Sequence, residues 1–146
     1  MPTPLKLRAV SPDDLDVVSA LLQDAAVKVS DMAWDQGSRC FALVVNRFVH
    51  EKRRWFRKPK GERIRTGFHV RGVEHVRMRG IDLADSAAVL SLLAIRHDVD
   101  EGVAVTLTLE FSGDASVQIE AECIDGVLAD MGDAWDALAR PHHGKA

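Results

Sequence analysis

The densest run of chemistry-bearing side chains is Lys52-Arg53-Arg54-Trp55-Phe56-Arg57-Lys58, where cations interleave with aromatic rings. Guanidinium groups pair with phosphates and carboxylates, and rings stack on bases, so this pattern suits an anionic partner. An acidic protein surface, a phosphorylated ligand or a nucleic acid would each satisfy it. Lys52, Arg53, Arg54, Trp55, Arg57 and Lys58 are the candidate binding residues. From His50 to Arg79 the chain holds eleven Lys or Arg against three Glu, an excess of +8. The net charge is -3, so the remainder carries -11. That segregation also supports a plainer reading, a solvated hairpin whose arginines pair with the acidic part of their own chain. An acidic chain further argues against avid non-specific DNA binding.

Histidines offer a second chemistry. His69 and His75 lie six apart across Gly72, and His97 adjoins Asp98. A histidine beside a carboxylate can act as a general base or hold a metal. A cleft near His69, His75, His97 or Asp98 would make this a small enzyme or ligand-binding protein, which is the alternative to a binding or adaptor domain. No H-x-x-x-H pair, H-E-x-x-H motif or Cys/His cluster accompanies them, so structural or surface roles are the simpler assignment. Asp98-Val99-Asp100-Glu101-Gly102 resembles the start of a calcium loop, but the place of the twelfth-position Glu is taken by Leu109. Ser86, Ser91 and Ser116 have no G-x-S-x-G elbow, and there is no glycine-rich phosphate loop. The sequence thus assigns no catalytic residue, cofactor or metal. Cys40 and Cys123 sit in β-like runs without redox or zinc spacing and read as partly buried thiols.

These residues must be carried by a fold, and 146 residues with 47% hydrophobic content and a mean hydropathy of -0.07 can enclose a core. The longest apolar candidate, Ala87 to Ile95, is about half the roughly 18 residues needed to span a bilayer. The Met-Pro-Thr-Pro-Leu-Lys start lacks the apolar centre of a secretory signal. A cytoplasmic protein without membrane insertion is the expectation.

Leu5 to Val10 alternates as a strand. Ser11-Pro12-Asp13-Asp14 supplies a cap, a first-turn proline and two carboxylates at the positive end of a helix dipole. Leu15, Val18, Leu22 and Ala25 continue that helix to about Ala26. The period then falls to 2: Val27 to Trp34 predicts a strand with an irregularity near Asp31, Asp35 to Ser38 a turn, and Arg39 to Val49 a second strand. His50 to Gly61 is a basic connection. Arg63 to Arg79 alternates with a phase shift at Gly72, giving two strands or one long bent one. Ala88 to His97 reads as a buried strand, Asp98 to Gly102 as a turn, and Val103 to Phe111 with Val117 to Cys123 as a hairpin. Ile124, Leu128, Met131, Trp135 and Leu138 form a helical stripe that Pro141 ends. Phe41, Phe48, Phe68, Phe111, Trp34 and Trp135 are read as core.

The expected architecture is α+β: one domain over residues 1–140, with 141–146 as a flexible tail. It would be an antiparallel β roll or partly open barrel, with an N-terminal helix and a closing C-terminal amphipathic helix. Seven strands followed by one helix resembles the pleckstrin-homology-like barrel in element order, with a plain helix-on-sheet roll as the alternative. Such an analogy carries no function. An exposed strand edge or helix flank would support a homodimer.

Several segments together resemble a known family. They are Leu5-Lys6-Leu7-Arg8-Ala9, Asp14-Leu15-Asp16-Val17-Val18-Ser19-Ala20, Gln23-Asp24-Ala25 and the Arg39–His50 strand. Leu93-Ala94-Ile95-Arg96-His97-Asp98, Phe111-Ser112-Gly113 and Glu120-Ala121-Glu122-Cys123-Ile124 complete the set. Over nearly the whole chain this is similar to the DUF2948 family, alphaproteobacterial proteins of unknown function. The resemblance implies a bacterial cytosolic protein and argues against a eukaryotic-style phosphoinositide role. It brings no catalytic or binding residues with it.

Overall fold

Period-2 alternation carries most of this chain into strands, and one capped segment into a helix. The computed structural model describes residues 4–49, 63–99 and 104–131. Its elements are β1 (Lys6–Ala9), α1 (Pro12–Leu22), β2 (Ala25–Asp35), β3 (Cys40–Phe48), β4 (Arg63–Arg71), β5 (Val73–Arg79), β6 (Val89–Val99), β7 (Val105–Phe111), β8 (Ala115–Ala121) and β9 (Gly126–Asp130). The nine strands form one antiparallel sheet in the order β1-β9-β4-β3-β2-β6-β7-β8-β5. The fold is therefore α+β, a mostly antiparallel open sheet with one described helix.

Gly72 decides how that sheet bends. It separates β4 from β5, adopts φ +70 and so takes the left-handed region that glycine enters without strain. β4 is third in the sheet and β5 is last, so consecutive residues reach distant places in the order. Val73 N donates to Arg39 O at 3.0 Å and Glu122 N to Gly72 O at 3.0 Å, stitching the bend to both neighbours. The sheet curls, and its concave side gathers the core. Phe41, Leu43, Phe68, Val70 and Leu128 from one half meet Leu107, Leu109, Val117 and Ile119 from the other.

α1 begins as its sequence requires. Ser11 is extended, its Oγ accepts from Asp14 N at 3.2 Å, and Asp14 Oδ2 accepts from Val10 N at 2.9 Å. Leu15, Val18 and Leu22 are buried. β2 and β6 pair only from Ala25 to Lys28, so the rest of that edge of β6 falls to the helix. There Ser19 Oγ accepts from Ile95 N at 2.9 Å, and His97 Nε2 lies 2.9 Å from Asp16 Oδ1.

Five expectations need correction. The first helix stops at Leu22, not Ala26: Asp24 has φ 68, and Ala25 and Ala26 take strand partners in β6 and β3. The expected closing helix is a strand over its first part, because Gly126 to Asp130 fills the place between β1 and β4. Leu128 fits either period, but Gly126 weakens a helix by about 1 kcal/mol, whereas a strand here satisfies two open edges. Residues 132–146, including Trp135 and Leu138, lie outside the described residues. The pleckstrin-homology-like order is accordingly not found: eight strands follow α1, and the stretch meant to start the closing helix belongs to the sheet. Asp98 and Val99 belong to β6, opposite Thr106 and Val105, and Cys123 lies beyond β8 and is exposed. Elsewhere the strands, the irregularity in β2 and the turn at 35–38 fall where alternation placed them. Among the described residues no helix is long and apolar enough to cross a membrane.

Candidate functional site

On the convex side, β1, β9, β4 and β3 present residues of the opposite parity to the core. Gly67 stands between Val44 and Ala129, and His69 between Ala42 and Val127. Three of these end at Cβ or before it. Flanked by taller Val44, Val127, His69 and Met131, they leave a groove of about 550 Å³ on the sheet. That lies within the roughly 300–1,000 Å³ of small-molecule sites. The groove is a direct consequence of sequence: small residues meet at one register on adjacent strands. A Cβ on Gly67 would meet nothing nearer than Met131 Sδ at 4.0 Å.

The groove's wall and rim have distinct chemistry. Partial burial pushes the His69 imidazole below the usual histidine pKa, and Arg71 adds to this while Asp125 opposes it. His69 thus offers an uncharged donor and acceptor within an apolar wall. Lys6 is exposed and lines the groove, and Arg65, two residues before Gly67 on β4, is exposed as well. Neither has a side-chain hydrogen bond or ion pair among the described residues. Arg65 also lines an adjoining cleft of about 140 Å³ with Lys28, Asp31 and Asn46, and Val44 is shared by both. Arg63 lies 4.1 Å from the Phe48 ring centroid and donates to Asn46 O at 3.3 Å.

Beneath the same end, a buried ion pair anchors three strands. Arg47 shares its parity with Phe41, Leu43 and Val45 and so points into the core. Its Nε and Nη2 donate to Asp130 Oδ1 at 3.1 Å and Oδ2 at 3.0 Å. Thr66 Oγ1 donates to Asp130 Oδ1 at 2.8 Å, and Leu5 N to Oδ2 at 2.9 Å. Burial alone would raise the Asp130 pKa, but these hydrogen bonds and the Arg47 charge outweigh it and hold the carboxyl below its usual range. Sequence reading passed over Arg47 and Asp130. Parity within an apolar strand was the signal for the first; a closing strand had to be recognised for the second.

The candidate residues divide. Lys52, Arg53, Arg54, Trp55, Arg57 and Lys58 lie outside the described residues, in the connection from Phe48 to Arg63. Within the described part of the basic block, Arg71 Nε lies 3.4 Å from Asp125 Oδ2, while Arg65, Arg77 and Arg79 have no ion pair among the described residues. The proposed His/Asp cleft is not assembled. His69 lines the groove, His97 faces the core side and holds Asp16, and Asp98, its neighbour in β6, points to the opposite face. His75 shares the convex face with Asp98, but β8 and β7 intervene, a separation of about 14 Å at the usual strand spacing. The physical reason is the alternation of β6, which turns His97 inward, and the bend at Gly72, which puts His75 at the far end of the sheet order from His69 and three strands from Asp98.

Two other polar groupings are structural. Arg39 bridges Glu122 and Glu74 beside Trp34, tying the turn after β2 to the start of β5. Burial raises the Cys40 thiol pKa, with Arg71 opposing and Asp35 reinforcing, so it stays a thiol. Among the described residues no three His, Cys, Asp or Glu gather where they could hold a metal ion.

Comparison with known proteins gives three findings. No curated protein matches the chain. A solved structure described as "Crystal structure of an uncharacterized protein from Neisseria gonorrhoeae" aligns with a TM-score of 0.45 at 9% identity, covering 84% of this chain and 96% of that one. The family described as "Protein of unknown function (DUF2948)" matches residues 5–143, nearly the whole length. The chain therefore belongs to the DUF2948 family, whose function is unknown.

Proposed function

We propose that this protein is a non-enzymatic binding domain whose convex groove takes an anionic amphiphile, an apolar body carrying a carboxylate, sulfonate or phosphate. One observation carries the reading: an apolar groove of about 550 Å³ on a convex sheet face is lined by Lys6 and adjoins, through the shared Val44, a cleft lined by Arg65, and neither cation has a side-chain partner among the described residues. A solvent-facing strand row is ordinarily polar, as it is on β7 and β8. The apolar body would rest on Gly67, Ala42 and Ala129, and His69 would offer one neutral hydrogen bond. The acidic head would meet Lys6 and Arg65, and then the basic connection containing Lys52, Arg53, Arg54, Trp55, Arg57 and Lys58. This retains the expectation of an anionic partner and adds an apolar body to it. A single domain working in the cytoplasm is part of the same proposal.

The test uses 1-anilinonaphthalene-8-sulfonate, an aromatic body with one sulfonate. Titrated into the full chain, it is expected to shift the amide resonances of Val44, Gly67, His69, Val127 and Ala129 saturably. Gly67→Leu should abolish those shifts, and Arg65→Glu should weaken them. Shifts centred elsewhere, or untouched by Gly67→Leu, would overturn the reading.

A further inference from the structure

We propose that the cleft beside the groove seats the acidic head of the ligand and selects a head carrying a single negative charge. The proposal rests on the binding reading above and names the ligand class of that site. It begins with a defect in strand pairing. Val27 stands opposite Val45 and Met32 opposite Leu43, so four residues of β2, 28–31, face the single residue Val44 of β3. A bulge of this kind lifts one strand from its neighbour and re-aims its side chains, a device that recurs beside active sites. This one is braced: Val29 N donates to Ala88 O at 2.9 Å and Ser30 N to Ser86 O at 3.0 Å. Beside it lies the cleft of about 140 Å³ lined by Lys28, Asp31, Asn46 and Arg65.

Register ties the cleft to the groove. Arg65, Asn46 and Ala26 stand abreast on β4, β3 and β2. The next outward pair along β4 and β3 is Gly67 with Val44, two residues or about 7 Å away. An apolar body lying over Gly67 and Val44 therefore sets its head one step along the strands, beside Asn46. Of the two cations assigned above to the head, Arg65 is the one that lines this cleft, and Lys28 joins it from β2.

Charge then decides which head is taken. Elsewhere neighbouring opposite charges meet, as Arg39 does with Glu122 and Arg96 with Glu110. Lys28, Asp31 and Arg65 line one cleft, yet none has a side-chain hydrogen bond or ion pair among the described residues. The half-buried Asn46 amide is likewise unpartnered and adds neutral donors. Two cations against one carboxylate leave a formal charge of +1. Attraction to that charge grows in proportion to the ligand's charge, while the cost of stripping its water grows with the square. A carboxylate or sulfonate is thereby favoured over a phosphomonoester dianion, and Asp31 sets the limit.

The probes are decanoate, acetate and decyl phosphate, titrated into the full chain at about pH 8, where the phosphate carries close to two charges. Decanoate should move the amide resonances of Lys28, Asp31, Asn46 and Arg65 together with those of Gly67 and His69, in one saturating step. Acetate, a head without a body, should leave them in place at the same concentration. Lys28→Gln and Arg65→Gln should each weaken decanoate by about three- to tenfold. Decyl phosphate should bind more weakly than decanoate. Asp31→Asn should shrink that advantage roughly threefold, the effect of one extra ligand charge at ~6 Å in a water-like dielectric.

Decanoate shifts confined to the groove, with the cleft resonances still, would overturn the head site and leave the binding reading intact. So would acetate saturating the cleft as tightly as decanoate, which would make it a site for free anions. A decanoate-to-phosphate ratio unchanged by Asp31→Asn would overturn the selection by charge. Shifts in neither place, or shifts insensitive to Gly67→Leu, would overturn the binding reading itself.

Discussion

The two halves of the sheet obey the same alternation and yet present opposite convex faces. On β6, β7, β8 and β5 the outward row is mostly polar: Val89, Ala94, Arg96 and Asp98, then Thr106, Thr108 and Glu110, Ser116, Gln118 and Glu120, and His75, Arg77 and Arg79. On β3, β4 and β9 its central stretch reads Ala42 and Val44, Gly67 and His69, Val127 and Ala129, with Arg65 and Arg71 on either side of it along β4. Inward rows of both halves are the same mixture of Leu, Val, Ile and Phe. The concave face answers to the hydrophobic effect in either half, so it says little beyond the fold. The convex face is free to differ, and a departure from polarity there is what singles out a site. A contrast runs beneath it too: the first half encloses its ion pair, Arg47 with Asp130, while the second leaves Arg96 and Glu110 in solvent.

The largest expected effect attacks that contrast. The Arg47 and Asp130 side chains are 10% and 7% exposed, so removing one partner strands a charge in the core. Asp130→Asn should cost about 3–5 kcal/mol by urea denaturation, whereas Arg47→Met with Asp130→Leu should cost much less than the two single changes combined. A loss under about 1 kcal/mol for Asp130→Asn would mean that this end of the core is open to water. Acid sharpens the same point. The folded Asp130 carboxyl is held below its unfolded value, so its contribution is complete above about pH 4 and is lost as pH falls through the folded pKa. The slope of stability against pH below 4 should be shallower in Asp130→Asn than in the unaltered chain.

Glycines supply the next test, because two of them flank the same strand pair in opposite settings. A Cβ on Gly126 would meet Phe68 Cε1 at 3.2 Å and His69 O at 3.3 Å, one of them backbone. Gly126→Ala should therefore destabilise the chain by about 1–3 kcal/mol. Gly67 faces the groove, with Met131 Sδ at 4.0 Å as its nearest obstacle. Gly67→Val should leave stability unchanged or raise it by up to about 1 kcal/mol, since a β-branched residue suits a strand interior better. Thermal melts of the two variants moving in the same direction would show that the concave and convex sides of this half are not distinct environments.

What the sequence could reveal follows the same division. Strands β2 to β8 and the start of α1 were legible because alternation and capping are local signals. β7 and β8 show it best, with Val105, Leu107 and Leu109 set against Val117 and Ile119 across a turn at Gly113. β9 was hidden because Leu128 satisfies both periods, and only the open edges of β1 and β4, distant in sequence, decide between them. The groove was hidden for a related reason. Ala42, Gly67 and Ala129 are unremarkable in themselves and become a site only when register aligns them. Histidine chemistry misled in the reverse sense: His97 and Asp98 are neighbours in sequence, and a strand sends neighbours to opposite faces. The basic run at Lys52 to Lys58 was conspicuous because composition alone reveals it, but composition does not say which surface it joins.

The smallest expected effect lies on the polar half, and it is the more searching for being small. Arg96 Nε donates to Glu110 Oε2 at 2.8 Å, but the two side chains are 68% and 38% exposed. Glu110 stands opposite Ala94, so the pair is diagonal across the ladder and each charge keeps most of its hydration. Such a pair gains little over its solvated components and loses rotamer freedom in forming. Arg96→Ala should change stability by no more than about 0.5 kcal/mol, and adding salt should shrink even that difference. A loss above about 2 kcal/mol would require a second surface to rest on this face and remove the pair from water. The polar half would then be an interface in its own right, beside the groove.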